Sequence, residues 1–298
     1  MEYRKLGRTG LDVSALGFGG AEIGRENEDQ AVVDRLLNSA IDSGLNLIDT
    51  AAAYFTSEEL IGNALKGRRN DVLLFSKCGT LDGFTRSDWS KQGVIDTIVE
   101  SLRRLRTDHL DIVQLHSCER EILEHGDAID GLIRAQERGY ISFAGYSGDS
   151  EDAAFAIDLD FFDTLQTSIS IADQEAIEQT VPKAIEKGMG IIAKRPIANA
   201  VWRHDSKPEN TYHQDYWDRL EELKYPFLDL PLAESIGIAL RFTLSVEGVA
   251  SAIVGTTKPG RWQQNAEYVE QGPLPGNEFE AIRERWKETA EDGWIGQV

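Results

Sequence analysis

The sequence predicts an α/β chain folded as a (β/α)8 TIM barrel, preceded by a β-hairpin and followed by a C-terminal helix and tail. Three observations carry this prediction. Short β-type runs alternate with longer amphipathic helical runs along almost the whole chain. No cluster of strands without intervening helices occurs after the hairpin, which means a parallel sheet. The strands number eight, and eight β/α units close most naturally into a barrel. At 298 residues and 41% hydrophobic content, residues 1–298 read as a single domain with ample core material.

Taken in order, Tyr3–Leu6 and Asp12–Leu16 form the hairpin, joined through Gly7-Arg8-Thr9-Gly10, where glycine supplies the positive φ of a turn. Leu16–Gly19 is the first barrel strand. Gln30–Ser43 is a helix, with Val32, Val33, Leu36, Leu37, Ala40 and Ile41 at a 3.6 period and a stop at Gly44. Leu45–Asp49 is a strand, Glu58–Lys66 a helix ended by Gly67, and Val72–Lys77 a buried strand. Gly93–Arg106 repeats the stripe with Val94, Ile95, Ile98, Val99, Leu102 and Leu105. Strand Asp111–Leu115, helix Glu121–Arg138 and strand Ile141–Tyr146 follow. The second half keeps the rhythm: helix Ser150–Ile157, strand Asp163–Gln166, helix Gln179–Lys187, strand Met189–Lys194, helix Leu232–Leu244, strand Ala250–Val254, and helices Pro259–Val269 and Asn277–Ala290. Two connections are unusually long, Cys78–Gln92 and Asn199–Pro231, and long connections in a compact domain tend to be lids or binding loops.

Charge narrows the function classes. With 51 acidic against 31 basic residues the net charge is −20, which disfavours nucleic acid and anionic membrane as partners. Two cysteines, Cys78 and Cys118, are too few for a disulfide framework, and no apolar run approaches the ~18 residues of a membrane span. A cytoplasmic protein acting on small molecules is the expectation.

Polar residues then fall where a buried parallel sheet should not put them. Asp49, Lys77, His116, Ser147, Gln166 and Lys194 end, or directly follow, six successive strands. Strand ends of a parallel barrel converge on one mouth, where the sites of this fold lie. Tyr54 sits just past Asp49 in the same loop and can join them. Singly, each has an ordinary explanation, such as a structural ion pair or core packing. Together their roles interlock.

The segments LGRTGLDVSALGFGG, GLNLIDTAAAYFTSEELIGNAL, VLLFSKCG, SLRRLRTDHLDIVQLH and AIVGTTKPGRWQQN carry a resemblance from about Tyr3 to Asn265. They resemble the aldo-keto reductases. The resemblance implies a barrel that binds NADP(H), with NAD(H) as the alternative, in an extended conformation. It also implies reversible reduction of an aldehyde or ketone, a small-molecule carbonyl substrate. The family tetrad maps onto Asp49, Tyr54, Lys77 and His116. Tyrosine, with an ordinary pKa of ~10, is a weak acid near neutrality; the Lys77 ammonium should favour its phenolate and so make it a better donor, with Asp49 holding Lys77 in place. His116 would orient the carbonyl. For the cofactor, the resemblance assigns Ser147 and Gln166 to the nicotinamide carboxamide, with Gly148 where many relatives carry Asn. Lys194 and Arg195 fall in the pyrophosphate segment, Lys194 where relatives often place an aromatic. Thr256, Arg261, Gln264 and Asn265 match the adenosine-phosphate site, with Gly255 in place of a lysine kept by some relatives. Arg261 suits a 2′-phosphate through its planar fork of donors.

Other patterns are set aside. Gly17-Phe18-Gly19-Gly20-Ala21-Glu22 lacks the third glycine of a dinucleotide fingerprint, and neither cysteine has partners at metal-ligand spacing, so no metal is expected. The aromatics of Asn199–Pro231 read as loop core, cofactor clasp or substrate wall. Two rival functions stay open: a Schiff-base lyase using Lys77 or Lys194, and a catalytically slow NADP(H)-binding subunit that senses redox state. Neither substrate identity nor oligomeric state can be read from the sequence.

Overall fold

The computed structural model describes residues 1–297. Eight strands, β1 (Leu16–Gly19), β2 (Leu47–Asp49), β3 (Leu73–Cys78), β4 (Leu110–His116), β5 (Ile141–Ser147), β6 (Thr164–Ser168), β7 (Gly190–Lys194) and β8 (Val249–Val254), pair in chain order and close into a barrel, all parallel. Phe18 pairs with Ile48 on one side of β1 and with Val254 on the other, so the seam between the last strand and the first is hydrogen-bonded like the rest.

The predicted hairpin is present as Tyr3–Lys5 and Asp12–Ser14, joined through a single 3-10 turn at Gly7–Thr9. Its position explains its apolar residues. Leu6 and Val13 are fully buried against inward-facing Leu47, Phe75, Ile112 and Ile192, and the Arg8 guanidinium donates to the carbonyl of Phe162 at 2.9 Å. The hairpin therefore plugs the end of the barrel where strands begin, which leaves the other end for a site.

Most helices lie where the 3.6 period puts them. That of Gln30–Asp42 starts at Asp29, whose carboxylate accepts from the Ala31 amide at 2.8 Å, the N-cap that satisfies a free helix-end donor. Three departures matter. The segment Glu121–Arg138 is two helices, Arg120–His125 and Asp127–Glu137, broken at Gly126 with φ 83°. The expected helix Gln179–Lys187 shortens to Val181–Glu186, with Pro182 in its first turn where its missing N–H is not needed, and a separate short helix, Glu175–Gln179, precedes it. The long connection after β7 is not a bare loop. It contains a thirteen-residue helix, Thr211–Leu223, capped by the Asn210 side chain at the Tyr212 amide. Tyr216, Leu220 and Leu223 of that helix pack with Tyr225, Phe242 and Trp286 into a second core beside the barrel. The other long connection carries a small antiparallel ribbon, Thr80–Leu81 with Arg86–Ser87. No helix among the described residues is long and apolar enough to cross a membrane.

Candidate active site

At the mouth opposite the hairpin, the polar strand ends meet. Asp49 and Lys77 form an ion pair with side chains 2% and 1% exposed. Lys77 also donates to the carbonyl of Thr50 at 3.0 Å. The second carboxylate oxygen of Asp49 accepts from the side-chain amides of Gln114 at 3.0 Å and Gln166 at 2.9 Å. Ser147 in turn donates to Oε1 of Gln166 at 3.2 Å. Five strands thus contribute to a continuous network that fixes the Lys77 ammonium. Gln114, which the sequence reading missed, lies two residues before His116 on β4 and so on the same inward face. A glutamine inside the otherwise apolar run Ile112–Leu115 was the available signal.

Burial and charge act oppositely on these groups. Burial pulls the Lys77 ammonium down, but Asp49 and then Tyr54 hold it above its ordinary value. An amine kept charged is a poor Schiff-base nucleophile, which counts against the lyase alternative at this position. Tyr54 lies with its ring centroid 5.1 Å from the Lys77 ammonium and 5.5 Å, edge-on, from the His116 ring. Its pKa departs from the sequence expectation. Lys77 does pull it down, but burial outweighs Lys77 and the net shift is upward. Tyr54 is therefore held as the neutral phenol, the form that can give a proton. His116 is pushed well below its usual pKa by burial, then by the charges of Lys77, Lys194, Arg195 and Arg25. It is neutral near pH 7 with one N–H to donate, and its Nδ1 is buried without a partner. The Phe84 ring packs edge-on at 4.8 Å from His116. Phe84 arrives there because Asp82, Gly83 and Phe84 all adopt positive φ, 47°, 65° and 72°.

The residues assigned to the cofactor divide. Ser147 and Gln166 stand together, as expected. Gly148 has a steric reason: a Cβ there would meet the Tyr146 ring, whose hydroxyl is fixed to the Cys118 carbonyl at 2.8 Å. Lys194 is taken up by an ion pair to Asp149 at 2.8 Å. Burial pushes the Asp149 carboxyl up, but Lys194 and Arg195 outweigh it and keep it below the usual range. Arg195 donates to the Tyr212 hydroxyl at 2.5 Å and to Ser168 Oγ at 2.7 Å, and it also meets the Gln297 carbonyl of the C-terminal tail. In this arrangement Lys194 and Arg195 bind protein groups, so their expected pyrophosphate role is tied to Asp149 and to the tail.

At the far side of the mouth the adenosine-phosphate residues follow β8. The Lys258 amide donates to Thr256 Oγ1 at 3.1 Å, and Arg261 opens the helix Arg261–Val269 with no ion pair among the described residues. Asn265 is buried, and its Oδ1 lacks a partner. Gln264 is exposed in the first turn. A cationic fork and orphaned polar atoms at a helix start fit a phosphate-bearing nucleoside. Gly255 is a glycine for a local reason, since a Cβ there would collide with the Glu22 carboxylate and the Gly19 carbonyl. The surface hollow between Arg69, Arg103, Arg106 and Thr107 lies at the barrel end where strands begin and holds no buried ionisable group. Buried charge locates the site better than concavity does.

The comparisons agree with the fold. The sequence model of the aldo/keto reductase family matches residues 15–287. L-galactose dehydrogenase from Arabidopsis thaliana is 28% identical, over 95% of this chain and 93% of its own. The holo form of an aldo-keto reductase from Bacillus halodurans superposes with a TM-score of 0.83 at 28% identity, covering 99% of each chain. An aldo-keto reductase from Klebsiella pneumoniae, solved in complex with NADPH, shares the fold with a TM-score of 0.78 at 22% identity and full coverage of both chains. A family match over nearly the whole chain, on a closed parallel barrel with its polar strand ends gathered at one mouth, places this protein in the aldo/keto reductase family of oxidoreductases.

Proposed function

We propose that the protein reduces an aldehyde or ketone reversibly to an alcohol with NADP(H), with Tyr54 as the proton donor. The observation that carries the reading is the buried Asp49–Lys77 pair lying against Tyr54, with the neutral His116 ring edge-on to the same phenol. When bound, the reduced nicotinamide supplies a hydride to the carbonyl carbon. Negative charge then develops on the carbonyl oxygen and must be met by a proton. Tyr54 donates that proton from its hydroxyl, and Lys77, kept charged by Asp49, stabilises the phenolate left behind. His116 donates its one N–H to the carbonyl oxygen and orients it. Ser147 and Gln166 would hold the nicotinamide carboxamide, and Thr256, Arg261, Gln264 and Asn265 the adenosine phosphate. The Phe84 ring, packed against His116 and Tyr54, supplies an apolar wall beside the reacting atoms.

A cofactor-oxidation screen over aldehydes and ketones, run with NADPH and with NADH, tests the reading. Turnover of NADPH with at least one carbonyl class is the expected result. Binding of NADPH without turnover of any carbonyl would favour the redox-sensing alternative instead.

A further inference from the structure

Arg25 ends the short helix Ala21–Arg25 that follows β1. Its guanidinium carbon is 5.9 Å from the Tyr54 ring centroid and 5.3 Å from that of Tyr212, so it sits between two aromatic faces at the mouth. Four cations act on His116: Lys77, Lys194, Arg195 and Arg25. Three are committed. Lys77 pairs with Asp49, Lys194 with Asp149, and Arg195 spends its donors on Tyr212, Ser168 and the tail. Among the described residues Arg25 makes neither an ion pair nor a hydrogen bond. Neither Glu26, the adjacent acid, nor Glu22, one turn back, pairs with it, and Glu22 is turned against the backbone of Gly255. Aromatic faces hold a guanidinium in place through the ring quadrupole while leaving its N–H fork free. Arg25 is exposed at the rim, so in a chain of net charge −20 it stands as an unpaired cation that a solvent-borne anion can reach beside the proton donor.

We propose that Arg25 anchors a carboxylate of the substrate, so that the preferred substrates are aldehydes and ketones that also carry an acid group. The inference rests on the reductase reading above and names its substrate class. A guanidinium fork matches a carboxylate bidentately. With the acid on Arg25 and the carbonyl oxygen at Tyr54 and His116, the body of the molecule lies along the Tyr212 and Phe84 rings.

The test compares matched pairs on the holoenzyme: succinic semialdehyde against butanal, and 3-carboxybenzaldehyde against its methyl ester. Wild type should show a kcat/KM for the acids roughly ten- to hundredfold above that for the neutral partners, the worth of a charge-assisted pair. Arg25→Met, which keeps an apolar stem between the rings, should remove most of that preference, chiefly through KM, and Arg25→Lys should restore part of it. NADPH affinity, followed by fluorescence titration, should stay within about twofold in Arg25→Met, because the anion concerned is on the substrate. Equal losses on acid and neutral substrates, or a tenfold loss of NADPH affinity, overturns the assignment and makes Arg25 a structural or cofactor contact. Good turnover of neutral aldehydes with no acid preference in wild type overturns it alone. Absence of turnover with every carbonyl overturns it together with the reductase reading.

Discussion

Replacing Lys77 by Met removes the ammonium while keeping most of its buried stem volume, and so isolates the charge it gives Asp49. Asp49 would then be left 2% exposed with two amide donors, Gln114 and Gln166, and no cation. Breaking a buried pair in this way costs about 3–5 kcal/mol. Protonation sets a ceiling, because a carboxyl that cannot stay ionised takes up a proton. Starting from an unfolded pKa of about 3.9 and about 1.36 kcal/mol per unit, the loss cannot much exceed ~4 kcal/mol at pH 7 or ~1.5 kcal/mol at pH 5. The sign follows from linkage. In the variant the folded pKa of Asp49 rises above the unfolded value, so its contribution is intact below about pH 4 and is lost as pH rises toward the folded pKa. Urea unfolding of wild type and Lys77→Met at pH 5 and pH 7 measures both differences. A destabilisation of 3–4 kcal/mol at pH 7 that shrinks by at least half at pH 5 is expected. An equal loss at both pH values would show that packing, and not an uncompensated buried charge, governs this position.

Other consequences can be measured separately. Arg261→Ala should weaken NADPH by roughly ten- to hundredfold, the value of charge-assisted hydrogen bonds, and NADH far less; equal losses in fluorescence titration would remove the 2′-phosphate role. Burial, with the charge of Asp149, pushes the Asp173 carboxyl up to about 7, so its contribution to stability is full below about pH 4 and gone above about pH 7. Asp173→Asn should therefore gain up to about 4 kcal/mol at pH 8 and much less at pH 4.5, since the Tyr216 hydroxyl can still donate to the amide oxygen; identical gains at both pH values in urea unfolding would contradict the charge origin. Ala198, Asn199 and Ala200 form a left-handed turn with φ 42°, 54° and 48°. Relieving ~1–2 kcal/mol of strain against a chain-entropy cost of ~0.5–1 kcal/mol, Ala200→Gly should raise stability by up to about 1.5 kcal/mol, and a fall in Tm would refute the strain.

The barrel was legible because its strands are buried on both faces and its helices on one, which writes two different periods into the sequence. The polar strand ends were legible for the same reason: Asp49, Lys77, His116, Ser147 and Gln166 interrupt apolar runs at equivalent positions. Gln114 was readable from the same pattern but was passed over because it is not terminal. The Thr211–Leu223 helix carried its own signal in the Asn210 cap and the Tyr216, Leu220 and Leu223 spacing, obscured by the polar residues between them. Arg25 was not readable, and Phe84 and Tyr212 were readable only as members of the two long connections expected to form lids or binding loops. They reach the mouth from three separate connections between strands, through positive φ at Asp82 and Phe84 and through docking of a helix nearly 200 residues from Arg25. No local pattern records such an approach. The direction of the Tyr54 shift was also beyond the sequence, because it depends on how completely the phenol is desolvated.

The central claim is that Tyr54 delivers the proton, and Tyr54→Phe tests it most directly, since the change removes one hydroxyl and little packing. The measurement is kcat on a carbonyl substrate shown by a deuterated-hydride isotope effect to be limited by chemistry, with NADPH affinity followed in parallel. A fall of at least ~10²-fold in kcat with nearly unchanged cofactor affinity is predicted. Retention of most of the wild-type turnover under those conditions would contradict the account.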